Sequence, residues 1–190
     1  MQMDYTADRG GIVKKLAEKV KGEKFEHSLG VEKTALALAE RYGANREKAG
    51  LAGLLHDYTK QMDNVALAGK YGIAYLTEKT LHGHTAAALL KEKGYVEDEE
   101  VLSAIKWHTT GKAGMNMLEK IVYIADYMEP NRDFPGVEKL RELAFANIDK
   151  AVLLGLQMSI NHIIENKSLI DTDSVEAYNY YRRLFPGEEI

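Results

Sequence analysis

Six residues of this chain could carry metal or proton chemistry: His27, the adjacent pair His56-Asp57, His82, His108 and Asp126. The pair closes an apolar run, Ala49-Gly50-Leu51-Ala52-Gly53-Leu54-Leu55. An imidazole and a carboxylate are costly to bury there without a compensating charge, and a divalent cation is one. Asp126 follows a second apolar run, Ile121-Val122-Tyr123-Ile124-Ala125, where a cation would hold a desolvated carboxylate ionised. Passing from His27 to His56, His82, His108 and Asp126, the intervals are 29, 26, 26 and 18 residues, each about one helix plus a turn. Side chains so spaced can converge on the axis of a helical bundle.

Neighbouring helix positions diverge by about 100°, so His56 and Asp57 cannot clasp an ion alone, and His27 and Asp126 are the natural closers. The donors are nitrogen and oxygen without sulfur, which favours iron, manganese, cobalt or zinc over magnesium or calcium. Such an ion polarises a phosphoryl or carbonyl oxygen and acidifies a bound water, which is the chemistry of hydrolysis. Basic groups suggest an anionic substrate. Lys60 lies one turn after His56, Lys24 lies three residues before His27, and Arg132 lies in the two-proline loop Pro130-Asn131-Arg132-Asp133-Phe134-Pro135-Gly136. These suit a phosphate ester or anhydride.

The elements that must position these residues read as helices throughout. Apolar positions recur at helical spacing, nothing alternates like a strand, and all three prolines lie from Pro130 onward. Ile12, Leu16 and Val20 mark a first helix. His27, Val31, Thr34 and Leu38 form a stripe on a second, which stops near Gly43. Asn45 caps a third helix, which carries His56-Asp57. Further helices are expected over residues 65–71, from Thr85 to Lys93, from Asp98 to His108, and over 118–128, 137–146, 149–166 and 174–184. The expected fold is all-α, a compact multi-helix bundle with the metal site at its centre and residues 1–190 as a single domain.

Composition bounds the function. The chain has 190 residues, 45% hydrophobic and 28% charged, enough for a real core. A net charge of -4 with no basic block argues against nucleic-acid binding. The absence of cysteine excludes disulfides and thiolate zinc sites and fits a reducing compartment. No apolar run approaches the ~18 residues of a membrane span, and Met1 to Gly11 lack the apolar stretch of a signal peptide, so a cytoplasmic location without membrane attachment is expected.

Ordinary structural roles compete for the same residues. His56-Asp57 could be a buried hydrogen-bonded pair, and Asp126 could pair with Arg132 or Lys120. His27 could sit on a surface, His108 could cap its helix, His82 and His84 could be loop histidines, and Lys60 could be solvated. His162 reads as structural, and Trp107, Met115, Met117 and Met128 as packing. Glu97-Asp98-Glu99-Glu100 reads as a helix start.

Three strings decide between these readings: Leu54-Leu55-His56-Asp57-Tyr58-Thr59-Lys60, Ala104-Ile105-Lys106-Trp107-His108-Thr109-Thr110-Gly111, and the segment from Leu118 to Arg132. With His27 they resemble the H…HD…D signature of the HD-domain metal-dependent phosphohydrolases, in particular the YqeK family of symmetrical bis(5'-nucleosyl)-tetraphosphatases, over about Lys24 to Asn179. The resemblance implies that His27, His56, Asp57 and Asp126 bind iron or a similar divalent ion. It implies nucleotide contacts from Lys24, His27, Asp57, His82, His108, Thr109, Asp126 and Arg132, with His82 and His108 alternatively holding a second metal. Catalysis falls to Asp57, His82 and His108. The nucleotide-binding C-terminal segment corresponds to Leu169, Ile170, Asp171, Thr172, Asp173 and Ser174. The implied substrate is a dinucleoside tetraphosphate, diadenosine tetraphosphate giving two ADP, with GDP-type products from guanosine substrates. Two strings depart from the family pattern. Gly83-His84-Thr85-Ala86-Ala87 stands where a small residue, Pro, an apolar residue and Gly-Ala are usual, and 169–174 matches only loosely. The rival functions are another HD phosphohydrolase, such as a deoxynucleotide 5'-phosphatase, a nucleotide-sensing module without turnover, and a purely structural bundle.

Overall fold

The computed structural model describes residues 2–190. Among these residues it contains ten α-helices and no strand: α1 (Tyr5–Lys19), α2 (Glu23–Tyr42), α3 (Arg46–Leu55), α4 (Asn64–Tyr71), α5 (Leu81–Glu92), α6 (Glu99–Trp107), α7 (Met117–Met128), α8 (Val137–Ala146), α9 (Ile148–Glu165) and α10 (Thr172–Leu184). A 3-10 turn over Glu78–Thr80 leads into α5. The helix starts reflect the local chemistry. Asn45, Asp63, Asp98, Asn147 and Asp171 accept hydrogen bonds from first-turn backbone N–H groups, and Asn116 with Glu119 forms a reciprocal capping box on α7. Gly43 and Gly72 end α2 and α4 in the left-handed conformation that glycine adopts without strain.

Two helices form the centre. Every residue of α3 from Ala49 to Leu55 is buried, as are Ile121, Val122, Tyr123, Ile124 and Ala125 of α7. A helix apolar on all sides is stable only when surrounded. α3 packs against α1, α2, α6 and α7, and α7 packs against α2, α6 and α9. Gly53 sets the α2–α3 distance: a Cβ there would meet the Glu32 Cα at 3.1 Å and the Ala35 Cβ at 3.2 Å. This close approach brings α2 and its His27 to the end of α3.

Two expected boundaries move in ways that matter for the site. α3 ends at Leu55, so His56 is its C-cap and Asp57 lies in the turns beyond, not within the helix. The dyad therefore sits at a helix end, where the chain can turn Asp57 toward other elements. α5 begins at Leu81 instead of Thr85, so His82 and His84 are helical, not loop residues. Gly83 lies inside this helix where α6 passes close by: a Cβ on it would meet the Lys106 carbonyl at 2.7 Å, so the close approach requires glycine.

Candidate metal centre

Three C-terminal helix ends converge on one point. His56 caps α3, His108 caps α6, and Asp126 lies in the last turn of α7. His27 comes from the first part of α2 and His82 from the first turn of α5. Helix C-termini carry partial negative charge, so their gathering favours a cation between them.

Backbone hydrogen bonds aim the imidazoles. His56 Nδ1 donates to the Gly53 carbonyl at 2.7 Å, and His108 Nδ1 donates to the Ile105 carbonyl at 2.7 Å. Each bond leaves Nε2 as the inward-facing nitrogen. His56 Nε2 lies 3.2 Å from His27 Nε2, and His82 Nε2 lies 3.1 Å from His108 Nε2. Asp57 stands between the two pairs. Its Oδ2 is 3.7 Å from His56 Nε2, while its Oδ1 is 3.2 Å from His82 Nε2 and 3.5 Å from His108 Nε2. Asp126 Oδ1 closes the cluster, 2.9 Å from His27 Nε2 and 3.9 Å from His56 Nε2.

Burial and charge set the protonation. Burial lowers the His56 pKa to about 4, with the other imidazoles pushing the same way, so this histidine is neutral near pH 7. Burial also lowers His82. Burial opposes ionisation of Asp57, yet the surrounding His56, His108, His82 and Lys60 outweigh it and hold the carboxyl well below its usual range. Asp126 behaves likewise: His27, His56 and His108 overcome its desolvation. Burial opposes protonation of His27, yet Asp126 and Glu129 outweigh it and raise its pKa, so a cation taking Nε2 displaces a proton there. Neutral His56 and the ionised carboxylates are already in the states that metal binding requires.

The residues fit a divalent cation. Three overlapping sets hold donor atoms within 4.8 Å of one another: His27, His56 and Asp57; His56, His108 and Asp126; and Asp57, His82 and His108. Asp57 Oδ1 is buried and has no partner in hydrogen-bond geometry. A buried carboxylate oxygen without a partner is expensive, and a cation would satisfy it. The four ligands expected from sequence, His27, His56, Asp57 and Asp126, thus belong to one cluster; His108 adjoins His56, Asp57 and Asp126, and His82 joins through Asp57 and His108.

The remaining expected residues divide. Thr109 Oγ1 is 3.1 Å from both His82 Nε2 and His108 Nε2. Arg132 Nη2 donates to Asp126 Oδ1 at 2.9 Å, whereas Lys120 pairs with Asp149, so of the two ordinary partners open to Asp126 only Arg132 engages it. Lys24, Lys60 and Arg132 line a polar cleft of about 720 Å³ that opens beside His27, Asp57 and Asp126. Lys60 is not merely solvated: its Nζ lies 2.9 Å from His82 Nε2 and 3.6 Å from Asp57 Oδ1. The C-terminal segment is set apart from this cleft. Asp171, Thr172 and Asp173 line another cavity, of about 320 Å³, with Thr80, Leu81 and His84, while Leu169 is exposed and Ser174 buried. His162 is exposed on α9, outside the cluster. Glu129, which the sequence does not single out, is buried against His27, with Oε1 at 3.1 Å from Nδ1. An acid three residues after Asp126, at the end of an apolar helix, is the one signal that could have found it.

No helix among the described residues is long and apolar enough to cross a membrane. The HD domain family model matches residues 25–131, which span the whole cluster. The chain is 36% identical to the symmetrical bis(5'-nucleosyl)-tetraphosphatase of Halalkalibacterium halodurans over 179 residues, 90% of this chain and 96% of that one. The protein of the same name from Bacillus subtilis is 35% identical over 164 residues, 83% of this chain and 88% of that one. Among solved structures, a predicted HD superfamily hydrolase involved in NAD metabolism from Clostridium acetobutylicum superposes with a TM-score of 0.86 at 35% identity, covering 93% of this chain and 97% of the other. The chain belongs to the HD-domain family and, within it, to the symmetrical bis(5'-nucleosyl)-tetraphosphatases.

Proposed function

We propose that this protein hydrolyses dinucleoside tetraphosphates symmetrically, diadenosine tetraphosphate and water giving two ADP. The observation that carries this reading is the buried His/Asp cluster at the head of a cleft lined by Lys24, Lys60 and Arg132. Its support is near full-length similarity to relatives named for that reaction. His27, His56, Asp57 and Asp126 would hold the cation, with iron our assignment and manganese, cobalt or zinc compatible with the same donors. The bound ion would supply Lewis acidity and charge neutralisation for a polyphosphate.

The chain's own side chains do the rest. Lys24, Lys60 and Arg132 bind phosphate oxygens in the cleft and balance the charge that grows during in-line attack. Water adds to one β-phosphorus, and the bond from that phosphorus to the central bridging oxygen breaks. The bridging oxygen leaves on the second ADP. Asp57 Oδ1 faces His82 and His108 and orients the attacking water. His82 or His108, with the Thr109 hydroxyl between them, takes the proton that the attacking water loses and passes it to the departing oxygen. The segment from Leu169 to Ser174, adjoining the His84 cavity, contributes to nucleoside binding.

Product chromatography tests the reading. Metal-loaded protein given diadenosine tetraphosphate should yield ADP alone. ATP plus AMP would reject symmetric cleavage. Orthophosphate from deoxynucleoside monophosphates, with the tetraphosphate untouched, would replace this reading with the 5'-phosphatase one.

A further inference from the structure

His27 is oriented differently from the other inward-facing histidines. His56 and His108 each donate Nδ1–H to a carbonyl three residues back on their own helix. His27 has a carboxylate in that role, supplied by Glu129, 102 residues later in the chain. Glu129 sits just past α7, is 2% exposed, and uses both oxygens: Oε1 lies 3.1 Å from His27 Nδ1, and Oε2 accepts the Asn131 backbone N–H at 2.8 Å. Its backbone is fixed as well, since the Glu129 carbonyl accepts from Arg141 Nη2 and from the Arg132 N–H, both at 2.9 Å. Space for the carboxylate comes from α2: a Cβ on Gly30 would lie 2.4 Å from Glu129 Oε2.

We propose that Glu129 is a positioning residue for the metal centre: it accepts the Nδ1–H of His27, commits Nε2 to the corner formed by His56, Asp57 and Asp126, and enters through a notch that Gly30 leaves open. The inference rests on the metal reading above. The chemistry has three consequences. A histidine that gives one N–H to a carboxylate presents its other nitrogen as a stronger, fixed donor, and losing such a partner typically costs ~10–100-fold in metal affinity. His27 heads the stripe of a long helix and has no carbonyl aimed at Nδ1, so without Glu129 its ring could turn and present the wrong nitrogen. Asp126 and Glu129 leave the end of α7 on opposite sides of the same ring, at Nε2 and Nδ1, so the end of α7 both supplies a ligand and aims another.

Cobalt(II) binding to the purified full-length protein tests this, with dissociation constants from chelator competition, the visible ligand-field spectrum as a report on geometry, and circular dichroism and melting of the metal-free forms as the folding control. Glu129→Ala should bind cobalt ~10–100-fold more weakly than wild type, with a shifted spectrum and unchanged helical content. Glu129→Gln should recover part of that loss, because an amide oxygen can still accept from Nδ1–H. Gly30→Ala removes no polar group and by propensity should favour the helix. It should nevertheless weaken cobalt binding, because the methyl displaces the carboxylate. Gly69→Ala, whose added Cβ meets nothing within 4 Å, should leave the constant unchanged. Wild-type affinity and spectrum in Glu129→Ala would overturn the proposal. If that variant does not fold, wild-type binding in both Glu129→Gln and Gly30→Ala would overturn it. A wild-type protein that takes up no cobalt would overturn the metal reading itself.

Discussion

Two buried carboxylates, one on α2 beside α3 and one just past the end of α3, have opposite surroundings. Glu32, 3% exposed on α2, is satisfied entirely by the chain: Arg9 Nε and Nη2 donate to its two oxygens at 2.6 Å each, and the Tyr5 hydroxyl donates at 2.7 Å. The arrangement holds Arg9 above its usual pKa through the bond to Glu32, and burial beside the carboxylate pushes Tyr5 up to about 12. Asp57, also 3% exposed, has imidazoles around it and an oxygen without a hydrogen-bond partner. One carboxylate ties α1 to the bundle. The other is incomplete until a cation arrives. Burial of a charge does not by itself mark a functional site; what marks this one is an oxygen without a partner inside a group of metal-ligand side chains.

Removing the unpartnered group should have the largest effect. Asp57→Ala should lower kcat/KM for diadenosine tetraphosphate by at least ~10³-fold, about 4 kcal/mol. The metal-free variant should keep its helical content and melt somewhat below wild type, because the contacts of the carboxylate with His82 and Lys60 are lost. Cation binding gives the second readout. A divalent ion at about 100 times its dissociation constant stabilises a folded protein by about 2.7 kcal/mol, roughly 5–10 °C at this chain length. Wild type should show that rise and Asp57→Ala should not. Full activity in Asp57→Ala would break the comparison.

Glu32→Gln should do the reverse. Loss of a charge-assisted pair should cost about 1.5–3 kcal/mol in metal-free stability, while turnover and the cation-induced rise in melting temperature stay near wild type. A Glu32→Gln protein that melts like wild type but has lost activity would mean that the roles of the two carboxylates are wrongly divided.

The contrast also explains what the sequence could reveal. The helices were legible because their causes are local: Asn45 and Asp98 cap the helices that begin beside them, Gly43 and Gly72 stop the helices that end at them, and α7 is apolar enough to have no alternative to burial. His56-Asp57 and Asp126 were legible because each stands where a charge in an apolar setting demands an explanation, whereas His27, His82 and His108 were reached through their spacing and the family strings. The start of α5 was not legible, since nothing local records that the α6 backbone packs against Gly83. The pairings of Arg9 with Glu32 and of His27 with Glu129 were hidden for the same reason, spanning 23 and 102 residues. Chain order carries no record of which distant acid meets which base.

His84 offers a smaller and separable test, because it is buried outside the groups that could hold a cation. It packs edge-on against Trp107 with ring centroids 5.1 Å apart, and burial lowers its pKa to about 4. The groups that act on it are Lys106 and His108 from the α6 side, which push the same way, and Asp171 with the Thr80 backbone, which oppose. The unfolded chain therefore takes up this proton near pH 6.5, while the folded chain stays neutral until about pH 4. Stability from this group is complete above about pH 6.5, falls as the pH drops toward 4, and is flat below. In metal-free protein, melting measured from pH 7 to pH 4 should therefore fall less steeply in His84→Gln than in wild type. The buried His56 gives a loss of the same sign, but a bound cation would suppress it, since protonation and metal binding compete for the same imidazole. The difference between His84→Gln and wild type should persist with cobalt present. If cobalt abolished that difference, His84 would belong to the cage after all, and the boundary between the two kinds of buried group would have to be redrawn to include it.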